Sequence, residues 1–334
     1  MNIENGRVRM TVPEAQMLAE QSLQGIGYDA DEARIIANHV VDAALCGYEY
    51  SGLPKILNVA EHPRLKKPRQ PLRILRETPV SVLFDGGNNV GMVSVSRATD
   101  AAIARASEQG IAIVGLHNSW VSGRGAHYVE RIANAGLVGI HTVSSTRHVA
   151  PPGASKAATG TNPIAMAFPT ERDPLVIDMG VSAFMSTDIH FRIRRGEQLP
   201  EGVAIDRDGK PTCDPVEALA GAILPFGGYK GFALGIGMQA LGVLAGSGYD
   251  AEKIYGYLII AIKPDLLVPL EEYRRHLTAA LDLLKAAPKQ PGVTEIRLPS
   301  ERAFRERERL RREGLEIDEH IYRKLAAYAA VANK

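Results

Sequence analysis

Gly160-Thr161-Asn162-Pro163 and Leu224-Pro225-Phe226-Gly227-Gly228-Tyr229-Lys230-Gly231 are the stretches that decide the fold of this chain. Glycines let backbone N–H groups come close to an anion, and Thr161, Asn162 and Lys230 add donors and a charge. Such loops can cradle a pyrophosphate, although each taken singly is equally a tight turn. A third glycine stretch, Gly153-Ala154-Ser155, leads into the first. The usual dinucleotide fingerprint occurs once, at Gly235-Ile236-Gly237-Met238-Gln239-Ala240, inside an apolar run from Tyr229 to Leu244 that reads as a helix. That fingerprint needs a strand before it and a tight turn at its glycines. Small residues that let two helices approach closely explain the match better.

Outward from these loops the pattern alternates. Val80 to Phe84 reads as a strand running into a turn at Asp85-Gly86-Gly87, and Val95 to Gln109 as a helix. Ile111 to Leu116, Leu137 to Val143, Pro174 to Met179 and Tyr257 to Ile262 read as strands, with a helix over Tyr128 to Ala135. This alternation predicts an α/β or α+β layer with a central sheet. Both ends look helical: Thr11 to Leu45 with a break over Gly25 to Asp31, where Asp29 or Asp31 is the candidate cap, and again after Pro299. Lys66-Lys67-Pro68-Arg69-Gln70-Pro71 reads as a linker.

Composition narrows the function classes. A net charge of +1 creates no field for nucleic acid or an anionic membrane, and the Arg/Glu-rich run from Arg302 to Arg312 reads as a solvated helix face. Phe232 to Leu244 is too short and too glycine-rich to span a bilayer. The N-terminal residues lack a basic segment followed by an apolar one, so a soluble, cytoplasmic protein is expected. Two widely separated cysteines, Cys46 and Cys213, fit reduced thiols. No His/Cys/carboxylate cluster has metal spacing, and Asp206-Arg207-Asp208-Gly209 reads as a plain turn.

Taken together in order, the glycine loops belong to a longer series. It runs through Asp42, Gly47, Ser51-Gly52, Asp85-Gly86, Gly91, Val149-Ala150-Pro151-Pro152-Gly153, Gly160-Thr161-Asn162-Pro163-Ile164-Ala165, Asp178 and Ser182. It continues with Leu199-Pro200-Glu201-Gly202, Asp206, Gly209, Pro211-Thr212, Asp214-Pro215, Gly227-Gly228, Lys230-Gly231 and Arg297-Leu298-Pro299-Ser300-Glu301-Arg302. This series resembles the malate/L-lactate/L-sulfolactate dehydrogenase-like family, which includes ureidoglycolate dehydrogenase and the Δ1-piperideine-2-carboxylate/Δ1-pyrroline-2-carboxylate reductases. The resemblance implies an α/β, sulfolactate-dehydrogenase-like fold with a non-Rossmann NAD(P)-binding domain. Residues 1–70 plus 286–334 would form a helical domain from both termini, and 71–285 a sheet-containing domain for cofactor and substrate. It implies NADP or NAD as cofactor, a small-molecule substrate and a homodimer. Gly160, Thr161, Asn162, Asp178, Met179, Gly180, Lys230, Gly231, Pro299, Ser300, Glu301 and Arg302 would line the cofactor site, with Ser300 where the family usually has glycine.

The chain departs from the family where chemistry is expected. Family members usually carry Ser-His-Gly, the histidine donating a proton during reduction; here Tyr50-Ser51-Gly52 stands there. A second family histidine falls at Val121 in Asn118-Ser119-Trp120-Val121-Ser122-Gly123. Asp188 lies where the ketimine reductases have an acidic residue and many hydroxy-acid dehydrogenases have lysine. Reducing a ketone develops an alkoxide, whereas a cyclic imine can enter protonated, so losing the histidine is more tolerable for an imine. Asp188, Tyr50, Ser51 and Tyr48 are the catalytic candidates, the phenols on condition that their pKa is lowered. His127, His190 and Glu49 are further candidates by chemistry. Lys55, near a family arginine, together with Trp120 and Thr161, would meet the substrate. The chain then reads as an NAD(P)H-dependent reductase of a cyclic imine carboxylate or 2-oxo acid. Two alternatives stand beside it: a non-catalytic relative keeping the cofactor fold, and an enzyme with a different substrate in a pocket reshaped by Trp120, Tyr48 and Tyr50.

Overall fold

Side-chain caps set the first helices. In the computed structural model, which describes residues 2–4, 6–248 and 255–332, β1 (Asn2–Glu4) and β2 (Arg7–Met10) form a hairpin leading into α1 (Val12–Ile26). Residues 1, 5, 333 and 334 of the expected two-ended helical unit lie outside the described residues. Thr11 and Glu14 form a reciprocal capping box at the start of α1. Asp29, the first of the two candidate caps, accepts the Glu32 N–H at 2.8 Å and opens α2 (Ala30–Leu45). Such caps contribute about 1 kcal/mol each. A 3₁₀ turn over Glu49–Ser51 then precedes α3 (Pro54–Glu61), which sequence periodicity did not predict.

β3 (Arg73–Thr78) and β4 (Ser81–Val90) open the main sheet. The turn expected at Asp85-Gly86-Gly87 is a bulge inside β4: the strand shifts register between Asp85 and Asn89 and runs on to Val90. Asn88, at φ 61°, stabilises that path by donating through Nδ2 to the Arg64, Lys67 and Pro68 carbonyls. α4 (Gly91–Gln109) crosses over to β5 (Ile111–Trp120), parallel to β4. Its Ala98, Ala102 and Ala106, spaced one turn apart, are fully buried, so small side chains bring the helix close to the sheet.

α5 (Gly125–Asn134), β6 (Val138–Ser144), β7 (Ile164–Phe168), β8 (Leu175–Met179), α6 (Ser186–Arg195), β9 (Ala204–Ile205), α7 (Pro215–Ala220), β10 (Ala222–Ile223) and α8 (Tyr229–Leu244) follow. β11 (Gly256–Ile262), α9 (Leu270–Lys285), α10 (Glu301–Glu313), β12 (Leu315–Asp318) and α11 (Glu319–Ala332) complete the chain. Among the described residues the main sheet has seven strands in the order β3-β4-β5-β11-β6-β7-β8. β11 is antiparallel to both neighbours, so the sheet is mixed, and β8 is an edge.

The two chain ends meet. β2 pairs with β12, and α1 packs on α11 around Leu23, Ile36, Ile321 and Leu325. The small sheet that joins them has no counterpart in the sequence reading, because its strands span three or four residues. The glycines of α8 serve a contact of a different kind from the one expected. A Cβ on Gly235 would fall 3.0 Å from Val181 in the loop after β8, one on Gly237 would meet nothing within 4 Å, and one on Gly242, beyond the match, would fall 2.2 Å from Ser144 Oγ at the end of β6. Asp206 Oδ1 accepts the Asp208 and Lys210 N–H groups, an ordinary turn. No helix among the described residues is long and apolar enough to cross a membrane.

Candidate functional site

Two clefts meet beside the end of β8. One, of about 620 Å³, is walled by Tyr48, Tyr50 and Ser51, by Asp178 to Gly180, and by Pro299 and Ser300 ahead of α10. The other, of about 540 Å³, is walled by His62, Val121, Thr161, His148 and His190. Lys55, Gly123, Pro163, Met185 and Thr187 border both, so the clefts share a seam. Each volume lies in the usual range for small-molecule sites.

The two glycine loops converge. Thr161 O accepts the Val181 N–H at 2.9 Å, and Val181 O accepts the Phe226 N–H at 3.1 Å, placing the second loop beside the first. Asp178, Met179, Gly180, Pro299 and Ser300 wall the first cleft and Thr161 the second. Asn162 does not face either. It is fully buried, its Oδ1 accepting from Ser145 N and its Nδ2 donating to Gly235 O and Gln239 Oε1, so it pins the loop to α8. Gly160, Lys230, Gly231, Glu301 and Arg302 also stand off the cleft walls. Lys230 is exposed at the start of α8, and Glu301 pairs with Lys285. Arg302 lies over one side of the Tyr48 ring, 4.8 Å from its centroid, with Arg124 at 5.3 Å.

Asp178 stands on the wall of the first cleft with its side chain exposed there. Its Oδ2 accepts the Ala126 N–H at 2.7 Å at the start of α5, where the helix dipole favours a carboxylate. The protein atoms around the cleft nevertheless thin its solvation and raise its pKa. From the other side His39 Nε2 accepts the Arg124 N–H at 2.8 Å. Gly123, between them at φ 76°, has no room for a Cβ, which would fall 2.2 Å from His39 Nε2. Val121, at φ 53°, is a β-branched residue in the left-handed region, a strain of about 1–3 kcal/mol held by this clamp.

Several expected roles change on geometry. Trp120 is fully buried and lines neither of the two clefts; its indole donates to Asn88 O and its ring backs His62 at 4.3 Å between centroids. Asp188, on the first turn of α6, is absent from the walls of both clefts, its Oδ1 lying 3.7 Å from Arg192 Nε. Tyr50 lines the first cleft, but burial and the nearby Asp188 push its phenol up to about 12, the opposite of what an acid requires. His127 lies against His39 and Asp42, outside both clefts. Glu49 pairs with Arg7.

Lys55 stands at the seam, 8% exposed. Its Nζ donates to Thr187 Oγ1 at 2.9 Å, and among the described residues no carboxylate pairs with it. Burial, then the neighbouring Arg194, lowers its pKa to about 8. Arg124, His62, His148 and Thr187 escaped the sequence reading; Lys55 and Thr187 are 132 residues apart, and no local pattern joins them. His62 carries a legible clue only in hindsight, since Pro63-Arg64 turns the backbone so that Arg64 N donates to His62 Nδ1 at 3.2 Å.

Residues 10–326 match the model of the malate/L-lactate dehydrogenase family. The chain is 32% identical over 317 residues to L-sulfolactate dehydrogenase of Methanocaldococcus jannaschii, covering 91% of each. It is 33% identical to the Δ1-pyrroline-2-carboxylate/Δ1-piperideine-2-carboxylate reductase of Pseudomonas putida, covering 93% of this chain and 94% of that one. A solved dehydrogenase from Sinorhizobium meliloti superposes with a TM-score of 0.88 at 30% identity, over 97% of this chain and 98% of the other. With the fold, the loop convergence and near full-length coverage in agreement, this chain belongs to the malate/L-lactate dehydrogenase family of NAD(P)-dependent oxidoreductases.

Proposed function

We propose that the chain is an NAD(P)H-dependent reductase of a small 2-oxo acid or cyclic ketimine carboxylate, with the 2-oxo acid favoured. The observation that carries this reading is Lys55, a buried cation at the seam of the clefts without a carboxylate partner among the described residues. A buried charge is costly until paired, so the site is complementary to an anion. The case for a cyclic iminium rested on the missing family histidine and, beside it, on Asp188, which lies by Arg192 and off the walls of both clefts. A substrate cation placed about 4 Å from Lys55 would meet repulsion of about 4 kcal/mol at an effective dielectric of 20.

The residues of the first cleft fit the nicotinamide end of a dinucleotide. Val176 to Met179 belong to an edge strand, so backbone N–H and C=O groups are available on its free side, and a carboxamide needs one of each. Asp178 and the Tyr48 ring are fixed by their own partners. When bound, the reduced nicotinamide supplies a hydride. The chain holds the substrate carboxylate at Lys55, with Thr161 and His62 among the residues walling the second cleft.

The test combines fluorescence titration with NADH and NADPH and an absorbance assay over a panel of 2-oxo acids and cyclic imines. Uptake of one cofactor and turnover of a 2-oxo acid at ten-fold or greater advantage in kcat/KM over imines is expected. Cofactor uptake without turnover of any panel member would instead make the chain a non-catalytic relative.

The reading extends to assembly. Tyr229, Ala233, Ile236, Ala240, Val243 and Leu244 form an exposed apolar stripe along α8, whose opposite side grips the Thr161 loop through Asn162. A second copy of the chain is the proposed cover, giving a homodimer. Light scattering should give twice the chain mass, and the double variant Ile236→Glu with Leu244→Glu should run as a monomer. Free Cys46 and Cys213 suit a reducing cytoplasm.

A further inference from the structure

Reduction of a carbonyl leaves negative charge on oxygen, and a proton must reach it. The groups around the clefts differ sharply as acids. Tyr50 is a phenol pushed up to about 12. His62, pulled down to about 4 by burial and then Arg64, is neutral at pH 7. Its Nδ1 accepts from Arg64 N, so its proton sits on Nε2, and a neutral imidazole is a feeble acid. His148 and His190 are likewise held below their ordinary value by burial. Asp178 is engaged as an acceptor at the start of α5.

We propose that Lys55 is the proton donor, its Nζ anchored by Thr187 Oγ1 and delivering a proton to the carbonyl oxygen of a 2-oxo acid at the seam of the two clefts. The assignment rests on the reductase reading above. An ammonium carries three N–H groups. One is spent on Thr187, and two remain for the carboxylate oxygen and the carbonyl oxygen, which a 2-oxo acid presents side by side on adjacent carbons. In the step, the carbonyl carbon takes a hydride from the reduced nicotinamide and its π electron pair moves to oxygen. That oxygen takes a proton from Lys55 Nζ, leaving a hydroxyl, an oxidised nicotinamide and a neutral lysine that water reprotonates. No bond of the chain is made or broken otherwise.

The surroundings tune the acid. Arg194 and His190 face Lys55 from α6, Glu61 and His62 follow on its own helix and the turn after it, and His39 approaches from α2. Glu61 pairs with Arg194 at 2.7 Å, and that arginine is the charge nearest in effect to the lysine. Burial and Arg194 then place the lysine near pKa 8, close to working pH, where general acids are most effective.

The experiment compares the wild type with Lys55→Arg, Lys55→Ala and Arg194→Gln. Reduction needs the protonated lysine, so wild-type kcat/KM should fall above about pH 8, while the reverse oxidation rises through the same pH. Lys55→Arg keeps the cation but holds its proton, so KM should change by a few fold while kcat drops about 10²–10⁴-fold and the alkaline limb disappears. In Lys55→Ala, added methylammonium should restore rate and guanidinium should not. Arg194→Gln should move the limb to higher pH. The Lys55 Cε resonance of the cofactor-free protein should titrate with the limb. Wild-type kcat in Lys55→Arg, or an unchanged limb, overturns the proton donor while leaving the reductase reading standing. Failure of the wild type to take up either cofactor, read by fluorescence, overturns both.

Discussion

Trp120→Ala is expected to lower the free energy of unfolding by about 3–5 kcal/mol and to weaken substrate binding in the same variant. The side chain is fully buried at the end of β5, beside the bulge of β4. Two losses add to the cavity. Asn88 O loses the indole N–H donor at 3.0 Å, and His62 loses the stacked ring that fixes its plane. Trp120→Phe separates the two, because a phenyl ring can keep the stack while the Asn88 carbonyl loses its donor, for about 1–3 kcal/mol. Because Trp120 is the sole tryptophan, urea unfolding should be followed by circular dichroism. A cost below about 1 kcal/mol for the alanine variant would show that this packing contributes little.

Arg307→Met should cost about 3 kcal/mol and reduce cofactor affinity. Arg307, on α10, makes two hydrogen bonds to Glu130 of α5, at 2.6 and 2.8 Å. Its Nε lies 3.0 Å from Asp42 Oδ1 on α2, an ion pair whose angle falls short of a hydrogen bond. Removing one partner from such a largely buried group leaves uncompensated charge, typically about 3–5 kcal/mol. Arg124 still reaches Asp42 at 3.2 Å, which holds the loss to the lower end. The link to the cleft is direct, since α10 begins where Pro299 and Ser300 wall it. Arg307→Lys should fall between, as an ammonium cannot grip Glu130 with a fork. Burial pushes the Asp42 carboxyl up, yet the His127 hydrogen bond and the Arg124 and Arg307 charges hold it below its ordinary value. Its contribution is therefore present above the unfolded pKa of 3.8 and lost as pH falls through the lower folded value. Thermal melts from pH 7 to pH 3 should show the gap between wild type and Arg307→Met narrowing at the acid end.

Sequence periodicity located what repeats within one element. The helix read over Tyr229 to Leu244 has those bounds, and the strands from Ile111, near Leu137 and near Tyr257 stand where alternation or apolar runs put them. It missed β1, β2 and β12, which are too short to show a period, and the bulge that carries β4 past Gly87. The site was less legible for the same physical reason. Whether Asn162 faces a ligand or α8, and whether Asp188 or Thr187 faces Lys55, depends on helix rotation and on partners more than seventy residues away. Asn162 bonds Gly235 and Gln239, and Lys55 bonds Thr187, pairs that no local pattern encodes. The departures at Ser51 and Val121 were readable only against a family pattern, and the strain at Val121 not even then.

The meeting of the chain ends has a consequence for biosynthesis. Ser22 Oγ donates to Leu325 O, 303 residues away, and β2 waits for β12, so the first helices have no completed core until β12 and α11 leave the ribosome. At about 5–20 residues per second that wait lasts roughly 15–65 s, during which Leu23, Ile36 and Val40 stay open to solvent or to a chaperone. Premature termination before Leu315 should therefore yield insoluble protein in place of a truncated, cofactor-binding fragment.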